Sequence, residues 1–167
     1  LQNNMSAVIN LSAATALHHI KDAWTAYRIG EAYLQKQAYV EAEKYFAHAV
    51  ALLPLNPDFN NKLGVAYLQN AKFNEAQKVF EEIIRENSIH AAALCNLGYV
   101  HVNLGQLSKA MTLYNKALQL NPDYEKALLN KAALLLLQRK SSDAKIFVKK
   151  VLELSLIHIS EPTRQDR

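Results

Sequence analysis

Three glycines, Gly30, Gly64 and Gly98, stand 34 residues apart, and their surroundings recur at the same interval. Twelve positions after each comes an alanine (Ala42, Ala76, Ala110), and four beyond that an aromatic ring (Phe46, Phe80, Tyr114). Tyr33, Tyr67 and His101 hold the third place after the glycines, and Pro54, Ser88 and Pro122 close the units. A fixed period of this length means one supersecondary unit copied along the chain. Each copy is too small to bury its apolar face alone, so stacked neighbours must complete the core.

These landmarks, taken together, resemble the tetratricopeptide repeat (TPR), a helix-turn-helix unit, over Ala23 to Leu154. The resemblance implies an all-α fold, a right-handed TPR superhelix or α-solenoid of antiparallel helix pairs. Its repeats are 23–56, 57–90, 91–124 and 125–154, the last incomplete in its motif. Small residues are expected where helices meet: Gly30, Gly64, Gly98 and Ala132 on the first helices, and Ala42, Ala76, Ala110 and Ala144 on the second. Glycine costs roughly 1 kcal/mol against alanine inside a helix, which close packing offsets. All the glycines are read as lying inside helices at such positions. Pro54 and Pro122 are expected to stop the second helices, and Asn56-Pro57 and Asn121-Pro122 mark the same boundaries as turns.

The two ends are less regular. Residues 1–22 contain an alanine- and leucine-rich stretch, Met5 to Ile20, read as one helix that caps the array or remains from a preceding repeat. In the fourth repeat Lys131 takes a position held by Ile29, Leu63 and Leu97, and Leu134 to Leu137 would cover every side of the helix. An apolar terminal helix calls for another element stacked on it. Finally, LSLIHISEPTR, Leu154 to Arg164, resembles the in-frame translation of a transposase-based sequencing adapter. Residues 155–167 are therefore expected to be a non-native tail, with Gln165 to Arg167 read from the index that follows. Removing it takes away Arg164, Arg167, Glu161 and Asp166 together, so the net charge of +4 is unchanged.

Composition excludes several classes of function. The charge is dispersed, without the like-charged block of a nucleic-acid arm or a polybasic membrane anchor, so neither nucleic acid nor membrane is an expected partner. One cysteine, Cys95, cannot form an intrachain disulfide or a CxxC site. No apolar run approaches the roughly 18 residues needed to span a bilayer, and the compartment stays open. No Gly-rich phosphate loop, HExxH or GxSxG motif occurs, so no enzyme activity and no cofactor are expected. Cys95 lacks an adjacent base and reads as a small apolar residue, and the neighbours His18 and His19 point about 100° apart with no further metal ligand. His48, His90 and His101 are dispersed, His101 standing where the family has tyrosine. Trp24 is expected to pack against the preceding helix.

Members of the TPR family bind proteins or peptides, and the resemblance implies that the first helices line a groove. Positions 2, 5, 6, 9, 12 and 13 of each repeat face it. The residues expected to contact a partner are Tyr27, Arg28, Asn61, Lys62, Asn96, Tyr99, Lys126 and Asn130. Gln35, Gln69 and Asn103 add further amides at position 13, and Leu34, Leu68, Val102 and Leu136 add apolar contact. Amides both donate and accept, so a ladder of them suits the backbone of an extended peptide. Family members that clamp a chaperone's C-terminal carboxylate use Lys, Asn, Asn, Lys and Arg. The matching residues here are Asn61, Val65, Asn96, Lys126 and Asn130, and only Asn96 and Lys126 agree. The Asn96 and Asn130 pair is closer to the asparagine ladder of TPR arrays attached to glycosyltransferases. The chain is thus expected to be a protein-interaction scaffold. Three other readings stand beside it: an accessory segment of a larger enzyme, self-association through the solenoid ends, or a solvated polar face with no ligand.

Overall fold

The structure, a computed structural model, describes Leu17 and residues 19–160. Among the described residues there are eight α-helices after residue 22 and no strand: α1 (Ala23–Gln35), α2 (Tyr39–Leu52), α3 (Pro57–Gln69), α4 (Phe73–Glu86), α5 (Ala91–Asn103), α6 (Leu107–Leu120), α7 (Glu125–Leu137) and α8 (Ser141–Ser160). Each odd-numbered helix leads through a three-residue turn into the next, and α1 packs on α2, α5 on α6 and α7 on α8. The chain divides into two compact units, Leu1–Val79 and Phe80–Arg167.

Local chemistry fixes where the helices begin. The Asp22 carboxylate accepts from the Thr25 N–H at 2.7 Å and from its hydroxyl at 2.6 Å, capping α1. Asn56 caps α3 by accepting from the Asp58 and Phe59 N–H groups, with Pro57 in the first turn, where its missing donor costs nothing. His90 Nδ1 accepts from the Ala93 N–H at 3.1 Å and caps α5. Pro54 and Pro122 each follow the C-cap residue of a second helix, Leu53 and Asn121. Where Ser88 stands instead, Asn87 makes the turn, its side-chain oxygen accepting from the Ile89 N–H at 3.2 Å.

The turn inside each pair follows one pattern. In α1 the Ala38 N–H reaches back to the Tyr33 carbonyl and the Gln37 N–H to that of Leu34. Lys72 and Ala71, Gln106 and Gly105, and Lys140 and Arg139 repeat both bonds on α3, α5 and α7. This is the Schellman motif, which needs a left-handed residue just past the helix end. That residue is Gly105 on α5, at φ +72°, but Gln37, Ala71 and Arg139 on the others, at φ 59°, 56° and 60°. Gly105 therefore corrects the expectation that every glycine lies inside a helix: nothing lies within 4 Å of where its Cβ would be, and its role is the turn.

Packing glycines do occupy the helix pairs. A Cβ on Gly30 would stand 2.8 Å from the Phe46 ring, and one on Gly98 2.5 Å from the Tyr114 ring. In the first unit Phe46 and Ala42 pack with Leu63 and Ala66, while Ala26, Ala49 and Phe59 form an adjoining cluster. Glu43 ties the turn after α3 to α2, accepting from Asn70 Nδ2 at 2.6 Å and Lys72 Nζ at 2.7 Å. In the second unit Tyr114 packs with Leu94, Cys95, Ala110, Ala117, Ala127 and Leu134.

The ends differ from the regular repeats. The helix expected over Met5 to Ile20 lies, but for Leu17, His19 and Ile20, outside the described residues. Ile20 is held to α2 through its carbonyl, 2.7 Å from His48 Nε2. Of the four consecutive leucines in α7, Leu134 and Leu135 are buried and Leu136 and Leu137 exposed. α8 runs unbroken past Leu154 to Ser160, a stretch without Gly or Pro, and the rest of the adapter-like tail lies outside the described residues.

Candidate functional site

In the first unit the expected residues gather around an aromatic cluster. Tyr27 stacks on Phe59 with ring centroids 4.9 Å apart, and Trp24 meets the same ring edge-on at 4.8 Å. Trp24 also lies edge-on to Tyr27 at 5.8 Å, yet it is 52% exposed. The helix against which Trp24 is expected to pack lies almost wholly outside the described residues; among those, its ring contacts are with Tyr27 and Phe59. Lys62, at 5.9 Å from the Tyr27 ring centroid, donates to Glu31 Oε1 at 2.7 Å. That hydrogen bond, and the charge behind it, holds the Glu31 carboxyl below its usual value despite partial burial. Burial, and then the neighbouring Glu31 carboxylate, push the Tyr27 hydroxyl up to about 12. Arg28 is exposed and Asn61 half-buried on the same two helices. Glu31 was not among the expected contacts. Its signal was the spacing: it stands at position 9 of one repeat and Lys62 at position 6 of the next.

In the second unit Lys126 and Asn96 come together. Lys126 Nζ donates to Asn96 Oδ1 at 2.7 Å, and Asn96 is only 2% exposed. Asn96 thus reaches the surface through the lysine it holds. Asn130 Nδ2 donates to the buried Cys95 sulfur at 3.4 Å. Burial pushes the Cys95 thiol up, more than the Lys126 charge and the Asn130 hydrogen bond lower it. An activated nucleophile needs the opposite shift. Tyr99, Leu129 and Leu136 remain 43%, 49% and 53% exposed on α5 and α7, beside the exposed Lys126. His101 is buried, as a packing residue should be, but its Nδ1 has no hydrogen-bond partner.

Among the described residues no group of three or more His, Cys, Asp or Glu could hold a metal, and no helix is long and apolar enough to cross a membrane. What the helix faces offer is contact area: aromatic rings, exposed leucines, amides and amines.

Three sequence models of the tetratricopeptide repeat match the chain, over residues 33–98, 91–124 and 113–146. Residues 33–146 are a TPR segment. The fold agrees. A crystal structure of MamA superposes with a TM-score of 0.70 at 20% identity, covering 89% of this chain and 88% of that one. A thermophilic TPR protein of Thermus thermophilus gives 0.76 at 20% identity, over 79% of this chain and 74% of that one. The first TPR of Spaghetti (RPAP3), bound to the HSP90 peptide SRMEEVD, gives 0.64 at 21% identity, over 71% of this chain and 94% of that one. Among curated proteins, none matches the chain significantly by sequence. The chain is therefore an all-α TPR protein.

Proposed function

We propose that this TPR protein is an interaction scaffold whose first-helix faces bind an extended, acidic peptide carrying apolar side chains. The observation that carries this reading is the exposure of large apolar side chains on those helices. Tyr99, Leu129 and Leu136 stand at groove positions of the second unit, with 43% to 53% of each in solvent, on the same two helices as the exposed Lys126, and in the first unit Trp24, 52% exposed, stands on α1 with the exposed Arg28. Clustered exposed apolar groups rimmed by charge mark interaction surfaces. The amides Gln35, Gln69 and Asn103 are exposed at the ends of α1, α3 and α5, where they suit the backbone of an extended ligand. The TPR of Spaghetti bound to an HSP90 peptide lends support, as a protein of the same fold that takes a peptide. A carboxylate clamp of the chaperone type is not proposed. Only Asn96 and Lys126 of its set are present, and Asn96 is buried beneath Lys126.

Selection from a displayed library of random peptides, followed by fluorescence polarisation on the selected sequences, tests this. Selected peptides should be acidic. The double substitution Tyr99→Ala with Lys126→Ala should weaken them by about tenfold or more, as expected for losing one aromatic contact and one charge-assisted hydrogen bond. Lys126→Ala also takes away the donor to the buried Asn96 oxygen, so the melting temperature should fall by a few degrees, and affinities are compared well below it, with Tyr99→Ala alone as the variant that leaves that hydrogen bond intact. Peptides that bind the double variant as tightly as the parent protein would refute the assignment.

A further inference from the structure

A second site is built into the fourth repeat, and it shares no lining residue with the groove positions of the first helices. The position held by Ile29, Leu63 and Leu97 in the earlier repeats is Lys131 in α7. It lines a cleft of about 400 Å³ whose apolar walls are Leu118, Pro122, Leu128 and Phe147, with the amides of Asn115 and Gln119 at one side. Lys131 Nζ stands 4.2 Å from the centroid of the Phe147 ring. A ring face attracts a cation but carries no net charge to neutralise it.

No ion pair links Lys131 to a carboxylate among the described residues. The other lysine at the cleft, Lys150, already pairs with Asp123 at 2.8 Å and donates to the Pro122 carbonyl at 2.7 Å. Partial burial lowers Lys131 from its ordinary value, as expected for an ammonium that gives up some of its water with no anion supplied in exchange. A partly desolvated cation, two neighbouring amides and an apolar wall form a complementary surface for one kind of group.

We propose that this cleft binds a carboxylate carried on a short apolar body, with the carboxylate on Lys131 Nζ and the body against Leu118, Pro122 and Leu128. A free small acid and the C-terminal residue of a peptide present this same group. The test uses 4-phenylbutyrate and its neutral alcohol, together with a short peptide ending in phenylalanine, its C-terminus free or amidated. Binding to the full chain is followed by amide chemical shifts at Leu128, Lys131 and Phe147.

The acid should move these resonances and the alcohol should not. Lys131→Met should weaken acid binding by about tenfold or more, the worth of a hydrogen bond between charged groups. The same substitution should raise the melting temperature, because it returns an apolar side chain to a position that is apolar in the other repeats. If that variant fails to fold, Lys131→Gln keeps the length and removes the charge. Response to the free acid but not the peptide assigns a small-molecule source, and response only to the free-ended peptide assigns a protein terminus. The proposal is overturned if the alcohol binds as well as the acid, if Lys131→Met keeps full affinity, or if neither acid nor free-ended peptide binds.

Discussion

Replacing Gly98 with alanine sets two effects of known sign against each other. Alanine is the better helix former, by about 1 kcal/mol in a helix interior. Against this, its Cβ would lie 2.5 Å from Tyr114 Cε1, 2.8 Å from Cδ1 and 3.1 Å from Cζ, where ordinary contact begins near 3.4 Å. The ring cannot swing away freely, since Tyr114 is 1% exposed and packed among Leu94, Ala110 and Ala117. Overpacking a well-filled core costs about 1 to 3 kcal/mol, and a pinned ring belongs at the upper end. The net expectation is a loss of about 2 kcal/mol, or about 4 to 8 °C in melting temperature for a chain of this size. Urea and thermal denaturation followed by circular dichroism would measure it. A second arm separates cause from coincidence. At the positions of Gly98 and Tyr114 the fourth repeat carries Ala132 and the 40% exposed Val148, so the methyl occurs on the first helix where the second helix has no ring at the matching place. Tyr114→Val alone should destabilise by leaving a cavity. Combined with Gly98→Ala, it should recover about 1 kcal/mol or more relative to the sum of the single changes. A Gly98→Ala protein at least as stable as the parent would refute the claim that the ring demands the glycine.

The other predictions concern backbone, thiol and charge. Ala71→Gly should stabilise the protein by about 1 kcal/mol, since a left-handed non-glycine residue costs about that much and the other repeats show the same turn; a fall in the urea midpoint would count against the strain. The Cys95 thiol is held above its ordinary value by burial, so the unfolded chain loses this proton first as pH rises. Stability contributed by the buried thiol is complete below about pH 8.5 and declines above it, with Tyr27 adding to the decline only above about 10. Cys95→Ala should flatten the first part of that decline, and an unchanged profile would exclude the thiol as its source. Asn96→Asp would neutralise Lys126 at its contact and should weaken acidic peptides, whereas Glu31→Gln would release the charge of Lys62 and should strengthen them. The two substitutions change the net charge by one in opposite directions, so shifts in affinity of equal size and opposite sign would show that net charge alone, and not these two contacts, governs binding.

The fold was legible because its period was. Residues 34 apart need the same neighbours, so Gly30 and Phe46, then Gly98 and Tyr114, announce the same helix contact twice. The turns were harder to read, for a physical reason. Each first helix ends in the same pair of backbone hydrogen bonds, and these hold residue 37, 71, 105 or 139 left-handed whatever its side chain. Only Gly105 advertises that geometry. Gln37, Ala71 and Arg139 conceal it, because bonds supplied by the backbone leave no mark in the side-chain pattern.

The candidate binding faces were legible by position but not by role. Repeat positions put Lys62, Asn96 and Lys126 on the first helices, but they could not say which side chains are occupied by one another. The two units use a similar device with different chemistry. A lysine on the later helix reaches back 30 or 31 residues to an acceptor on the earlier one, a carboxylate for Lys62 and a neutral amide for Lys126. The carboxylate cancels the charge it positions, while the amide fixes the ammonium and leaves its charge unmatched at that contact. Asparagine at position 96 is then more than a member of a polar ladder. It aims a cation that a partner's carboxylate can still neutralise, which glutamate there would prevent and alanine there would leave unaimed.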